Sequence, residues 1–383
     1  MSFDNKEKFK NEIKKLFDSI YDLNNQDFPE EFKFLQLNEQ DLLKSKKRNS
    51  KCNYVNCNER AIGSHSYSRD FLNSITQYDD EIFCLNLDNM YRNMYINREY
   101  FPLNKKHINN AGVENLFCSK HDNEVFERIE NLRFKTDLDT YLHLYGYRFF
   151  IFEYYHENMT KKELQPKTYE NKSYSKQINK ELQEKYLSDK EYTIDFLDNL
   201  YNKSNFDKVK EVYDKIFCEN SSPTCKEFSE NFILKKFKLK GEINFFANGS
   251  MAYKNDYSDI NSHLPSVYAI VPDREYKYSY FTIITPRQEE NSMKIVFDEF
   301  DKLYHKYIKE DNKEFLKYVM FFILDCSQNI FFVEKFYKRL TNNNDIDNIK
   351  KVYYYLAQAR LCNDISVYLR KIAYEYISKI NFI

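Results

Sequence analysis

Three short stretches decide how this chain is read: Cys52-Asn53-Tyr54-Val55-Asn56-Cys57, then Ala61-Ile62-Gly63-Ser64-His65, and much later Asn115-Leu116-Phe117-Cys118-Ser119-Lys120-His121-Asp122. Two thiols four residues apart are followed, after a long excursion, by a Cys-x2-His pair. Zn²⁺ takes four such ligands in a closed site, in close pairs with short spacers. Cys52, Cys57, Cys118 and His121 are therefore the expected ligands of a structural zinc ion. His65 stands apart from both pairs; it either caps a turn, replaces one of the four ligands, or does chemistry of its own. A site of this kind needs little core around it, because metal binding contributes folding free energy directly.

The rest of the composition narrows the class. The chain has 383 residues, 42% hydrophobic and 31% charged, which suits a globular protein with more than one core rather than a disordered chain. It has five Gly, seven Pro and no Trp, a bias towards long helices. Five scattered glycines leave no phosphate-cradling loop or dinucleotide turn, and no Gly-x-Ser-x-Gly elbow occurs, so nucleotide hydrolase, dehydrogenase and serine-hydrolase readings fall away. The net charge of −1 creates no global pull towards nucleic acid. Local basic runs do occur, from Lys44 to Lys51 beside the first thiol pair and from Lys235 to Lys240; the plain reading of each is a solvated linker or helix face.

The first residues lack the apolar core of a signal peptide, and the longest apolar run, Val319 to Leu324, is far below the ~20 residues of a spanning helix. A cytoplasmic location is expected, with the eight cysteines reduced. Cys84, Cys326 and Cys362 read as small core residues, and Cys218 and Cys225 as a thiol pair without further partners. His143 and His156 read as core or boundary histidines.

Periodicity divides the chain into an N-terminal helical segment (1–47), the zinc-binding module (48–135), a helical region (136–240), a small β-sheet (241–290) and a C-terminal helical region (291–383). Within these, 6–24, 30–45 and Arg69 to Ile75 read as helices, and 81–87 as a strand. A strand over Val113 to Phe117 leads to a helix from His121, and 137–160 is a buried aromatic helix. The stretch 161–217 reads as two solvent-facing helices. Three strands follow near 243–247, 266–271 and 279–285, with Asp256 and Asp259 in a loop between them, and then helices over 293–309, 314–340 (broken near Ser327-Gln328-Asn329) and 345–380.

The thiol pair, the histidine after a turn and Asn-Leu-Phe-Cys-x2-His at the start of a helix resemble a treble-clef zinc finger of the HNH (ββα-metal) nuclease kind. The resemblance covers residues 48–135. It implies a treble-clef zinc module near the N-terminus, which with the elements read above makes an α+β protein, predominantly helical, with a small, mostly antiparallel sheet near 242–286. It also implies that the Cys and His pairs hold structural Zn²⁺ and that His65 is the general base. Asn115 corresponds to the middle Asn of the motif, and Asp122 stands where the family has its last histidine, a ligand of catalytic Mg²⁺ or Mn²⁺. The pattern is also similar to a group of uncharacterised bacterial proteins with suspected roles in phage defence. Ser64 stands in place of the Asp that commonly precedes the base, and the excursion between His65 and Cys118 is longer than the family's hairpin.

Cleaving a phosphodiester requires a base for water and a cation for the charge developing on phosphorus. His65 suits the first task and Asp122, a hard oxygen ligand, the second, alone or with Glu124 or Asn115. The expected partner is nucleic acid, DNA ahead of RNA, with the remaining regions serving a sensor, a second copy or a protein partner. The competing reading is a non-catalytic zinc module that docks nucleic acid or protein through the Lys44–Lys51 run. Arg60-x4-His65 also matches the Arg/His pair of HEPN ribonucleases, but that pair sits on a helix, whereas Gly63 places this one in a loop.

Overall fold

The computed structural model describes residues 50–76, 80–85, 103–131, 133–163, 204–241, 243–251, 263–310, 312–361 and 366–380. The helices expected over 6–24 and 30–45, the basic run up to Arg48, the stretch 164–203 and the Asp256–Asp259 loop lie outside these residues.

Two antiparallel sheets organise the α+β chain. The smaller pairs β1 (Ile62–His65) with β4 (Val113–Phe117). The larger has seven strands: β2 (Glu81–Leu85), β3 (Leu103–His107), β5 (Phe232–Leu239), β6 (Phe245–Met251), β7 (Ser266–Pro272), β8 (Ser279–Pro286) and β9 (Ser327–Phe332). Its order is β3-β2-β9-β6-β7-β8-β5. The helices are α1 (Arg69–Ile75), α2 (Ser119–Glu130), α3 (Leu138–Glu163), α4 (Ser204–Glu219), α5 (Cys225–Asn231), α6 (Glu290–Glu310), α7 (Glu314–Cys326), α8 (Glu334–Asn342), α9 (Asp345–Leu361) and α10 (Ser366–Ile377).

The large sheet is covered on both faces. Every residue of β7 and β8 is buried, the signature of a strand with apolar layers above and below. On β8, Phe281 packs against Phe300 of α6 and Phe322 of α7. Ile284, of opposite parity along the strand, faces α3 instead. There α3 approaches so closely that a Cβ on Gly146 would lie 2.1 Å from Ile284 Cδ1, so any larger residue would have to displace the Ile284 side chain. Helix α3 is apolar around most of its circumference, and Tyr141, Leu142, Tyr145, Tyr147, Phe149 and Phe150 are all buried. It touches β7 and β6 on one side and α2 and β4 on another, which makes it the link between the large sheet and the zinc stretch.

Three expectations change. The sheet is not confined to 242–286: β2 and β3, from the excursion after His65, and β9 add to it. The Lys235–Lys240 run is neither linker nor helix face: Lys235, Lys236 and Lys238 belong to β5, an edge strand, and Lys240 directly follows it. Its lysines lie along the open edge, which suits a strand that must not pair with another chain. Lys235 meets Asp301, Lys236 meets Asp139, Lys238 sits over the Tyr278 ring and Lys240 donates to carbonyls of α6. Finally, the break expected within 314–340 near Ser327-Gln328-Asn329 is present, and what changes is that strand β9 occupies it between α7 and α8.

Candidate metal centre

Residues 50–61 fold back on themselves, with Ala61 N–H donating to Ser50 O (2.9 Å), Cys52 N–H to Glu59 O (2.9 Å) and Lys51 bridged to Arg60. The loop closes through Cys57 N–H to Tyr54 O (3.1 Å). Asn56 sits at φ 58°, in the left-handed region that Asn tolerates better than most residues. Tyr54 N–H lies 3.5 Å from Cys52 Sγ, an amide aimed at sulfur. The second half is a helix terminus. Cys118 is the N-cap of α2, its carbonyl accepting from Asp122 N–H (2.9 Å), so Cys118 and His121 lie one turn apart on one face. Asn53 joins the halves, its backbone N–H and its side-chain amide both donating to Leu116 O at 2.9 and 2.8 Å.

The four ligand atoms converge within 4.8 Å of one another. His121 Nδ1 is 3.5 Å from Cys52 Sγ and 3.3 Å from Cys118 Sγ, and Cys57 Sγ is 3.9 Å from Cys118 Sγ. Zinc–sulfur and zinc–nitrogen bonds of ~2.3 and ~2.05 Å at tetrahedral angles would set S···S and S···N edges of about 3.8 and 3.6 Å. The donor set, three thiols and one imidazole, and its spacing thus fit a thiophilic divalent cation such as zinc. The Tyr54 ring stacks on His121 at 4.0 Å and fixes the imidazole plane. Burial pushes the Cys52 thiol up to about 12, whereas at Cys118 burial is outweighed by the His121 backbone N–H and the neighbouring sulfurs, and the pKa falls. Burial also lowers His121, keeping the neutral imidazole that ligation requires.

His65 is not a fifth member of this group. It ends β1, opposite Val113, and its Nε2 is 3.1 Å from Ile108 O. That contact assigns the proton to Nε2 and leaves Nδ1 as the lone-pair acceptor. Burial lowers its pKa; the Ile108 carbonyl opposes the shift, Arg148 and Arg69 add to it, and Asp122 raises it again. The turn that follows is pinned to the large sheet. Ser66 N–H donates to Gly112 O (2.8 Å), and Asn329 Nδ2 of β9 donates to Ser66 Oγ (2.8 Å) and Asn248 Oδ1 (2.6 Å). Gly112 has φ +60°, and a Cβ there would come within 2.5 Å of Ser66 Oγ. The Tyr67 hydroxyl lies 2.8 and 2.9 Å from the carbonyls of Ala247 and Ile270.

Asp122 follows His121 in the first turn of α2. Burial raises its carboxyl pKa against the opposing charge of Arg148 and the Ser64 hydroxyl, and its Oδ1 is buried without a hydrogen-bond partner. His65 and Asp122 lie within electrostatic reach, each shifting the other's pKa. Asn115 lies on β4 across from Gly63, on the ribbon that carries His65. No family model matches this chain, and no curated protein or solved structure matches it either. Function therefore has to be argued from the residues and their geometry.

One residue of this patch carries no motif signature: Arg148 of α3, joined by a 2.7 Å ion pair to Glu130 at the end of α2. Arg148 interrupts the apolar run Leu144–Phe152 of an aromatic helix, and a charge in such a run was the signal to follow. The remaining candidates are structural. His143 is buried, stacks on Phe228 at 5.0 Å, and is held at about 4 by burial. Cys84 is buried in the core. Cys218 and Cys225 belong to no metal-sized group among the described residues. Arg60 and His65 lie on extended backbone rather than on a helix, which removes the HEPN match.

Proposed function

We propose that this chain is a metal-dependent endonuclease of HNH type, in which the Cys52, Cys57, Cys118 and His121 group holds structural zinc in a treble-clef frame. The observation that supports the reading is that His65, whose Nε2 faces the Ile108 carbonyl, and Asp122, with a buried unpartnered carboxylate oxygen, lie within electrostatic reach of each other on the ribbon and helix flanking the Cys/His group. In the reaction, water oxygen forms a bond to phosphorus as the bond to the leaving oxygen breaks. The water's proton passes to His65 Nδ1, and the leaving oxygen takes a proton from solvent. Mg²⁺ or Mn²⁺ at Asp122 would supply positive charge beside the phosphate. Asn115 would act through the ribbon, holding its shape beneath His65. DNA is the preferred substrate in this reading and RNA the alternative; a role in phage defence belongs to the same proposal.

The test is cleavage of plasmid DNA and of RNA by purified protein with Mg²⁺ or Mn²⁺. His65→Ala should cut roughly 10²- to 10⁴-fold more slowly while its zinc content stays equal to wild type. Undiminished cutting by His65→Ala would remove the histidine from the chemistry. Salt-sensitive binding of nucleic acid with no cutting at all would favour the non-catalytic zinc module instead.

A further inference from the structure

Helix α8 has two unlike faces. Phe336 and Leu340 are buried in the core, and Tyr337 stacks on Phe83 of β2 at 4.0 Å. The other face borders a cavity of about 420 Å³ lined by Glu334, Lys335, Lys338, Arg339, Asn342 and Asn343. Residues at i, i+1, i+4, i+5, i+8 and i+9 lie side by side along one flank of a helix, so the lining is a single stripe of α8 and its C-cap.

A solvated helix face also carries charge, but in balance and reaching into water. This stripe departs from that on both counts. Among the lining residues three cations, Lys335, Lys338 and Arg339, stand against one carboxylate, Glu334, which Lys338 holds at 2.9 Å. Arg339 is half-buried, its guanidinium lies 5.1 Å from the centre of the Phe336 ring, and its Nε and Nη2 have no hydrogen-bond partner. Burial pulls its pKa down, and the charge of Asp345 on α9 opposes the shift without cancelling it. The surroundings therefore offset the Arg339 charge only in part.

The donor set says what would complete it. A guanidinium, an ammonium and two carboxamides offer hydrogens from several directions, around a space within the size range of small-ligand sites. A phosphate group, with acceptor oxygens spread tetrahedrally, can use them together, whereas a planar carboxylate presents only two oxygens.

We propose that the cavity along α8 is a phosphate-binding site, with Arg339 and Lys338 as its cationic contacts and the side-chain amides of Asn342 and Asn343 beside them. The phosphate can be borne by a free nucleotide or by a nucleic-acid strand. The site uses none of the residues placed in the zinc group or around His65, so it does not depend on the nuclease reading.

Calorimetric titration of the full-length protein at low salt with inorganic phosphate, with AMP and with a short single-stranded oligodeoxynucleotide tests this. Inorganic phosphate should bind wild type, and Arg339→Gln should lose roughly tenfold or more of that affinity. Lys338→Gln, at an exposed position, should lose several-fold, and Glu334→Gln, which removes the opposing carboxylate, should gain several-fold. AMP binding more tightly than phosphate identifies a nucleotide site. Tightest binding of the oligonucleotide, steep in salt and lost in Arg339→Gln, identifies a strand site. Wild type that binds none of the three, or affinities unchanged in both Arg339→Gln and Lys338→Gln, would overturn the proposal. Should Arg339→Gln melt early, the other two variants decide: phosphate affinity unmoved by Lys338→Gln and by Glu334→Gln counts against the site.

Discussion

The Cys52–His121 group and the His65–Asp122–Arg148 patch share helix α2, yet they handle buried polarity in opposite ways. In the first, every donor atom is turned on the others at contacts of 3.3–3.9 Å, and amides at Tyr54 and in the first turn of α2 point at sulfur. In the second, Asp122 Oδ1 and two nitrogens of Arg148 are buried without hydrogen-bond partners. The first is complete once a single ion is added, so it should dominate stability. The second leaves groups unpaired at about 1–3 kcal/mol each, so it should cost stability and repay it in ligand binding.

The sharpest way to break this contrast is to disable the first region. Cys118→Ser removes a thiolate at the N-cap of α2, and structural zinc sites in small modules bind with about 10–16 kcal/mol. Less than a tenth of the wild-type metal should remain by mass spectrometry, and the ribbon β1–β4 should lose protection from amide exchange. Stoichiometric zinc in Cys118→Ser would mean that the four residues are not a ligand set. Chelation of wild type should reproduce the variant.

Next in size is the contrast between a core histidine and a site histidine. His143 is held at about 4 against an ordinary 6.5 because burial penalises its charge. The unfolded chain therefore binds a proton that the folded chain refuses between those values. Stability is flat above pH 6.5 and falls as pH drops towards 4, by about 3 kcal/mol from this group. His143→Phe, which keeps a ring against Phe228, should flatten that limb in denaturant titrations while leaving the pH profile of cleavage unchanged. His65, lowered in the same direction by burial, should instead set the acid limb of activity, placed below pH 6.5. An unchanged acid limb of stability in His143→Phe would show that His143 is not buried as neutral imidazole.

How far each region could be read beforehand follows from how it is built. The ligand group is local: Cys52 and Cys57 share a loop, Cys118 and His121 share a helical turn, and spacing alone announces them. Strands β7 and β8 announce themselves too, because β-branched and aromatic runs bounded by Pro272 and Pro286 have one plain meaning. Strand β9 does not, since Ser327–Phe332 is short, follows α7 without a break and finds its neighbours β2 and β6 far away in sequence. Lysines hid β5, because edge protection and a solvated helix face look alike in a single chain. Arg148 went unseen for a related reason. Its partners, Glu130 and Asp122, sit on a different helix, and only the packing of α3 against α2 brings them together.

The smallest effect tests the sign of the comparison. Burial raises the Asp122 pKa more than Arg148 and Ser64 lower it, so the folded chain holds this carboxylate less comfortably than water does. A raised carboxyl pKa means a stability penalty that is fully present at neutral pH and vanishes as pH falls below the unfolded value of about 3.9. Asp122→Asn keeps the shape and removes the charge. At pH 7 it should melt at the same temperature as wild type or slightly higher, a gain of up to about 1 kcal/mol, while losing metal-dependent cleavage and keeping zinc. The gain should shrink as pH falls through the raised titration of this carboxyl, because the folded wild type then takes up the proton that relieves the penalty. Destabilisation by Asp122→Asn at pH 7 would place Asp122 with the ligand group, as a residue the fold needs rather than one it tolerates for chemistry.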